Sequence, residues 1–372
     1  MKQKLRKNLK RLISCMMILA VIFSSGMVFA EEADTNITVT IDEKKMEFDV
    51  EPVILNNRVL VPFRAIFEAL GCNVTYTEDE GRQLVTAMRG EKHLLIEIGA
   101  DSMFFNGNEQ TLDAPAFIKD GRTLVPIRAV SENFDANVDW KEDIKTVEIT
   151  TKQGQHKITP VTAWKDIKSE NGTTLINIRY SYPVIDNPEN NEYISKLNDE
   201  YKEYATKFIE EAEANKEDSE LLLEQKGEYY SPIVYELSYE VQADRLDILS
   251  ITNYCYYNLG GAHPNTTRQS RTFDMKNEKE LALSDVVNGN DDERHTMVYD
   301  VFIKYFEETY EGFNAEMAKQ IDEEADNVHF YLTDDALVLY FDVYQVAPYV
   351  LQYPTVKLEY TEGVFKIDWS QN

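Results

Sequence analysis

Cysteine is almost missing from this chain, with three in 372 residues. Cys15 falls in an amino-terminal apolar run, and Cys72 and Cys255 lie far apart. That is too little for a disulfide framework, so both read as buried thiols. Histidine is scarce too: His93, His156, His263, His295 and His329 stand singly, with no His-x-His pair. Calcium loops of the Asp-x-Asp-x-Asp-Gly kind and Gly-x-Ser-x-Gly elbows are absent from the sequence, which removes the usual signatures of calcium binding and serine nucleophiles. Bases are in deficit, 38 Lys+Arg against 66 Asp+Glu. A net charge of −28 argues against phosphate-backbone binding and against docking on anionic lipid. What is present is enough apolar residue, 43%, to build packed cores, and a length that suits two or three domains.

Residues 1–30 hold no acid and six bases, Lys2, Lys4, Arg6, Lys7, Lys10 and Arg11. An apolar run from Leu12 to Phe29 follows and ends in Val28-Phe29-Ala30. Basic start, apolar stretch and small-residue exit make a secretory signal peptide, cleaved after Ala30. Retained, the run would be just long enough to anchor the chain in a membrane. Cleavage leaves 32 bases against 66 acids, a charge of −34, on an extracellular protein of the cell surface or wall.

A repeat then organises residues 31–152. Arg58-Val59-Leu60-Val61-Pro62-Phe63-Arg64-Ala65-Ile66 matches Arg122-Thr123-Leu124-Val125-Pro126-Ile127-Arg128-Ala129-Val130 without a gap. The offset continues through Glu68/Glu132, Asn73/Asn137, Val74/Val138 and Tyr76/Trp140, so two copies of one supersecondary unit are expected. Each reads as a turn, a short apolar strand, a helix entered at Pro62 or Pro126, and a hairpin. Gly71 is a natural left-handed stop for the first helix, and Asp135 a less comfortable one for the second. Composition changes near residues 152–160: only Tyr76 of the 22 tyrosines precedes residue 160. Residues 31–155 carry 13 bases and 24 acids, residues 156–372 carry 19 and 42.

The second half mixes periods. Strands are expected over 174–182, 231–242, 244–258, 271–274, 328–332, 336–344, 355–360 and 364–368, and helices over 191–215, 291–311 and 313–324. The fold class is α+β: a β-rich two-copy module, then a mainly antiparallel sheet with packed helices, divided into 160–258 and 259–370.

The Leu60–Ala65 and Leu124–Ala129 signatures resemble the copper amine oxidase N-terminal-like module, or stalk domain. The resemblance implies an appended stalk without copper chemistry, and neither a metal site nor a cofactor is expected. The segments Tyr182–Ile185, Leu259–Thr266, Phe273–Met275, Leu283–Val286 and Val338–Tyr349 resemble a domain pair of extracytoplasmic bacterial proteins. Its members include the lysozyme-sensing anti-sigma factor and the non-catalytic part of a peptidoglycan deacetylase. The deacetylase's own Asp-Asp and His-x-x-x-His motifs are missing here.

Candidate ligand-binding residues follow. Gly260 and Gly261 permit close backbone approach in a loop that presents His263 and Asn265, and Pro264 fixes its exit. Arg268, with Arg271, forms a basic spot suited to a carboxylate or to neighbouring acids. Tyr344 and Tyr349 could form an aromatic platform or simply pack on a sheet. The expected function is that of a non-enzymatic surface or wall-binding protein. Its partner would be a cationic envelope protein such as lysozyme, or peptidoglycan. A wall hydrolase using paired carboxylates, or a structural spacer, are the alternatives.

Overall fold

In the computed structural model, residues 37–79, 81–128, 132–152, 154–261, 263–360 and 364–367 are described. The signal peptide, its cleavage site and the middle of the second repeat helix lie outside them.

The two repeat copies meet at their signatures. Strands Arg58–Pro62 and Arg122–Pro126 pair antiparallel with Val61 opposite Val125, so Leu60 faces Pro126 and Pro62 faces Leu124. This is a local two-fold, the simplest way for two identical apolar strands to cover each other. Each proline ends its strand, where a missing N–H costs little. Helix Phe63–Ala69 follows the first copy; in the second, Ile127 and Arg128 begin a helix and a 3-10 turn spans Glu132–Phe134. The signature arginine is a strut in both: Arg64 donates to the Val74 carbonyl at 3.2 Å and Arg128 to the Val138 carbonyl at 3.3 Å. Both stops are left-handed, Gly71 at φ 80° and Asp135 at φ 60°. Arg89 donates to the carbonyls just before them, Leu70 at 2.9 Å and Phe134 at 2.8 Å. Strand Thr38–Ile41 closes the module by pairing in parallel with Thr146–Thr151. One core unites both copies, with Phe67 edge-on to Phe134 at 5.3 Å. Cys72 is fully buried there, and burial pushes its thiol up to about 12.

The second half is built on a six-stranded sheet whose strands follow chain order: Ile158–Lys168, Thr174–Ile185, Ile233–Arg245, Ile248–Asn258, Asn265–Asp274 and Lys279–Glu280. All neighbours pair antiparallel except Thr174–Ile185 with Ile233–Arg245, which are parallel. A parallel pair needs a crossover, supplied by helices Glu192–Ala214 and Lys216–Lys226. Asn191 caps the first by accepting from the Ile194 N–H at 2.9 Å, a favourable N-cap. Its face of Leu197, Tyr201, Ala205 and Phe208 packs on Tyr235, Leu237 and Tyr239 of the sheet. A second core joins helices Asp291–Thr309 and Ala315–Glu324 to the sheet His329–Leu332, Ala336–Tyr340, Thr355–Glu359. Asn290 and Glu293 form a capping box on the longer helix.

Several boundaries differ from the sequence reading. The strand near 271 begins at Asn265, and strand Ile158–Lys168 and helix Lys216–Lys226 were not foreseen. The expected strand 336–344 stops at Tyr340, because the chain turns and Tyr344 adopts φ 69°. At 364–367 only a single bridge forms, Val287 with Phe365.

The other face of the large sheet is covered by the first module. Asn73 donates to the Leu237 carbonyl at 2.9 Å, the Gly90 N–H to Ser238 at 3.1 Å, and Lys92 pairs with Glu240 at 3.1 Å. The connection is pinned as well: Asp244 accepts from both the His156 backbone N–H and its ring nitrogen, each at 2.7 Å.

Candidate binding surface on the Asn265–Asp274 strand

Strand Asn265–Asp274 carries the sequence candidates, and the tyrosines of the later segment lie along it in order. Tyr349 donates to the Pro264 carbonyl at 2.8 Å, Tyr353 to Thr266 at 3.1 Å and Tyr340 to Ser270 at 3.0 Å. Each hydroxyl thereby finds a partner while its ring covers the strand, the arrangement that suits a half-buried tyrosine.

At the open end of this row, residues 81 positions apart meet. The His263 ring stacks on Tyr349 at 3.9 Å and 24°. Tyr344 lies 5.6 Å from Tyr349. His263 Nδ1 sits 3.0 Å from the Pro264 carbonyl oxygen, so the proton belongs on Nδ1. Nε2 then accepts from the Tyr344 hydroxyl at 3.5 Å. Tyr344 is 60% exposed and Val350 73%. The glycine loop is anchored rather than loose: Asn258 accepts from the Gly260 N–H, and Lys226 donates to the Gly260 carbonyl, both at 3.2 Å. Gly260 has φ 74°, a left-handed conformation that favours glycine. Gly261 and Asn265 are exposed, the latter at the first position of the strand. Two segments singled out separately in the sequence therefore form one aromatic surface, His263 with Tyr344 and Tyr349.

Arg268 is placed differently. It is 6% exposed, with Tyr353, Tyr340 and Tyr254 rings 4.3, 4.8 and 5.5 Å from its guanidinium. Its carboxylate partner is Glu91, from the turn of the first module. Arg271, on the other face, pairs with Glu200 at 2.8 Å and Glu280 at 2.7 Å. Both arginines thus meet carboxylates of this chain, the second of the two roles open to them.

Other polar groups lay beyond sequence reasoning. Glu236 is 7% exposed and Asn73 3%, and each keeps one side-chain oxygen without a hydrogen-bond partner. Alternation along 233–241 marks Ile233, Tyr235, Leu237, Tyr239 and Val241 as one face; the first four are buried, but Val241 is 38% exposed, because the register shifts between it and Ala243. Glu236 falls on the opposite face, which the first module covers. No group of three or more His, Cys, Asp or Glu among the described residues could hold a metal ion.

Comparison with known proteins resolves the chain into three parts. Residues 40–149 match the copper amine oxidase N-terminal domain family, residues 169–266 the deacetylase PdaC family, and residues 275–361 a family of unknown function, DUF3298. Strand Asn265–Asp274 bridges the last two. Two crystal structures are similar to parts of the chain. A DUF3298 family member from Bacteroides fragilis is 16% identical, over 57% of this chain and 95% of that one, with a TM-score of 0.42. A DUF3298 family protein from Pseudomonas aeruginosa is 19% identical, over 57% and 94%, with a TM-score of 0.36. No curated protein matches. The chain therefore carries, in order, domains of the copper amine oxidase N-terminal, PdaC-like and DUF3298 types.

Proposed function

We propose that this is an exported, non-enzymatic binding protein of the cell envelope, which docks its partner on the His263–Tyr344–Tyr349 surface. The observation that carries the reading is the convergence of His263, beside the anchored Gly260, with two tyrosines from a distant segment. Stacked rings with their polar atoms already bonded lose little side-chain entropy on docking, as in rigid aromatic hot spots. The favoured partner is a cationic wall-associated protein of the lysozyme kind. The excess of 42 acids over 19 bases across residues 156–372 supports that choice through charge complementarity and faster encounter. The first module serves as a platform fixed to the sheet, without copper. The leader directs export and is removed after Ala30. Titration of the full chain with lysozyme, and separately with soluble peptidoglycan fragments, tests the reading. Saturable lysozyme binding is expected; binding of the glycan alone would replace the partner, and binding of neither by folded protein would refute the function.

A further inference from the structure

The two modules share no hydrophobic core. Among the described residues, every buried apolar cluster draws its members from 37–149 alone or from 158–367 alone. What crosses the seam is polar. Asn73 reaches the Leu237 carbonyl, Gly90 reaches Ser238, and Lys92, Glu91 and Lys152 pair with Glu240, Arg268 and Asp334. The seam is also hollow, with cavities of about 280 and 530 Å³ that are each lined from both sides. Asn73 Oδ1 and Glu236 Oε2 on the smaller cavity, and Arg89 Nε on the larger, are buried without a hydrogen-bond partner. Voids and orphaned polar atoms of this kind are few in a packed interior. They suit the contact of two domains that move relative to each other. Both sides are net acidic, 24 acids to 13 bases over residues 31–155 and 42 to 19 over residues 156–372, so long-range charge opposes closure.

We propose that the first module is a removable cover, which lifts from the large sheet as a folded unit and uncovers the face of Glu236, Tyr254 and Tyr256. The closed form dominates, and the open form is a minor population in which each module keeps its own core. The seam is separate from the His263–Tyr344–Tyr349 surface, and neither proposal depends on the other.

Glu236 favours opening at alkaline pH. Burial pushes its carboxyl up to about 7, against the opposing influence of Arg179 and a hydrogen bond from Thr75. Arg179, its register partner on the adjacent strand, is itself paired with Asp166 at 2.7 Å. The other titratable groups on its cavity are Tyr254, Tyr256, Cys255 and Tyr353 from the sheet side, and Glu91 and His93 from the first module. Above pH 7 the closed seam therefore holds a carboxylate with one oxygen unpartnered, and opening returns it to water.

Amide exchange of the full chain reads the opening. The acceptor of the Gly90 N–H, Ser238, lies in the other module, so this proton exchanges when the seam parts. Val85 and Leu237 lie on inner strands of their sheets and exchange only when a module unfolds. At pH 8, corrected for intrinsic rates, Gly90 should be at least about 100-fold less protected than either. Glu236→Gln should slow Gly90 severalfold, because closure no longer buries a carboxylate. Fraying of the Arg89–Lys92 turn alone would not respond, since Glu236 bonds to Thr75 and not to the turn. A wedge gives a second reading. Gly90, at φ 57°, sits so close to Glu240 that a Cβ would lie 2.5 Å from its carboxylate oxygen. Asparagine tolerates that backbone, so Gly90→Asn forces the seam while keeping the turn. Spin labels at Glu109→Cys and Glu217→Cys, both exposed, leave the buried Cys72 and Cys255 untouched. The wedged protein should gain a longer distance between them, with Val85 and Leu237 still protected. Gly90 protection equal to that of Val85, a Gly90 rate indifferent to Glu236→Gln, or a folded wedge variant with the parent's single distance would overturn the proposal.

Discussion

Two clusters, one on strand Asn265–Asp274 and one on the loop that enters it, both gather tyrosines around a basic side chain and end in opposite states. At Arg268, three tyrosines and a carboxylate enclose a guanidinium beneath the first module. At His263, two positions before that strand begins, an imidazole and two tyrosines form an open cluster, with Tyr344 60% exposed and Tyr349 half-buried. Sequence type does not separate the two; cover does. Aromatic rings around a buried charge stabilise the fold, and rings left uncovered are available to a partner.

The sharpest break of that comparison is at the arginines. Arg268→Ala empties the buried space between three rings and removes their cation, and should cost about 3 kcal/mol through lost packing, since Glu91 is itself 59% exposed. Arg271→Ala, at an arginine whose side chain is 20% exposed, should cost only about 1 kcal/mol. Urea unfolding of both variants checks this; equal losses would mean that cover does not distinguish them.

The next effect concerns Glu236, buried by the same module. Its folded pKa of about 7 exceeds its ordinary 4.5, so the folded state binds the extra proton between these values. Stability is then highest at low pH and falls by about 3 kcal/mol as pH rises from 4.5 to 7. Glu236→Gln should flatten this window in melts recorded across it. His156 adds a smaller effect of the same sign. Its hydrogen bond to Asp244 raises its pKa above 6.5 despite burial. Its contribution is complete below 6.5 and is lost as pH rises through the raised value. His156→Ala should remove that component alone.

Much of this architecture was legible in the chain, and the reasons differ by element. The repeat was visible because both copies need the same apolar strand, proline and arginine strut, and Arg64 and Arg128 make the same bond. Helices Glu192–Ala214, Asp291–Thr309 and Ala315–Glu324 were visible through their periodicity, and the structure adds an asparagine cap to each. Strand Ile158–Lys168 was not, because it is an edge strand of intermediate and exposed residues with no buried alternation to read. The pairing of His263 with Tyr344 and Tyr349 was legible only as two separate candidates, since nothing local brings residues 81 apart together. The burial of Glu236 was illegible for the same reason, since the module that covers it lies more than a hundred residues away, and the rings around Arg268 come from three separate segments, at Tyr254, Tyr340 and Tyr353.

The central claim is that the open cluster is the docking surface, and dissociation kinetics test it most directly. Tyr349→Ala removes the ring on which His263 stacks, and should speed release of lysozyme from the full chain about 30-fold, the size of a hot-spot loss. Association should change little, because truncating an anchor acts mainly on dissociation and the acidic field is untouched. Raising salt should instead slow association, as screening shortens to about 8 Å at physiological ionic strength. A Tyr349→Ala protein that melts normally and releases lysozyme at the parent's rate would contradict the account.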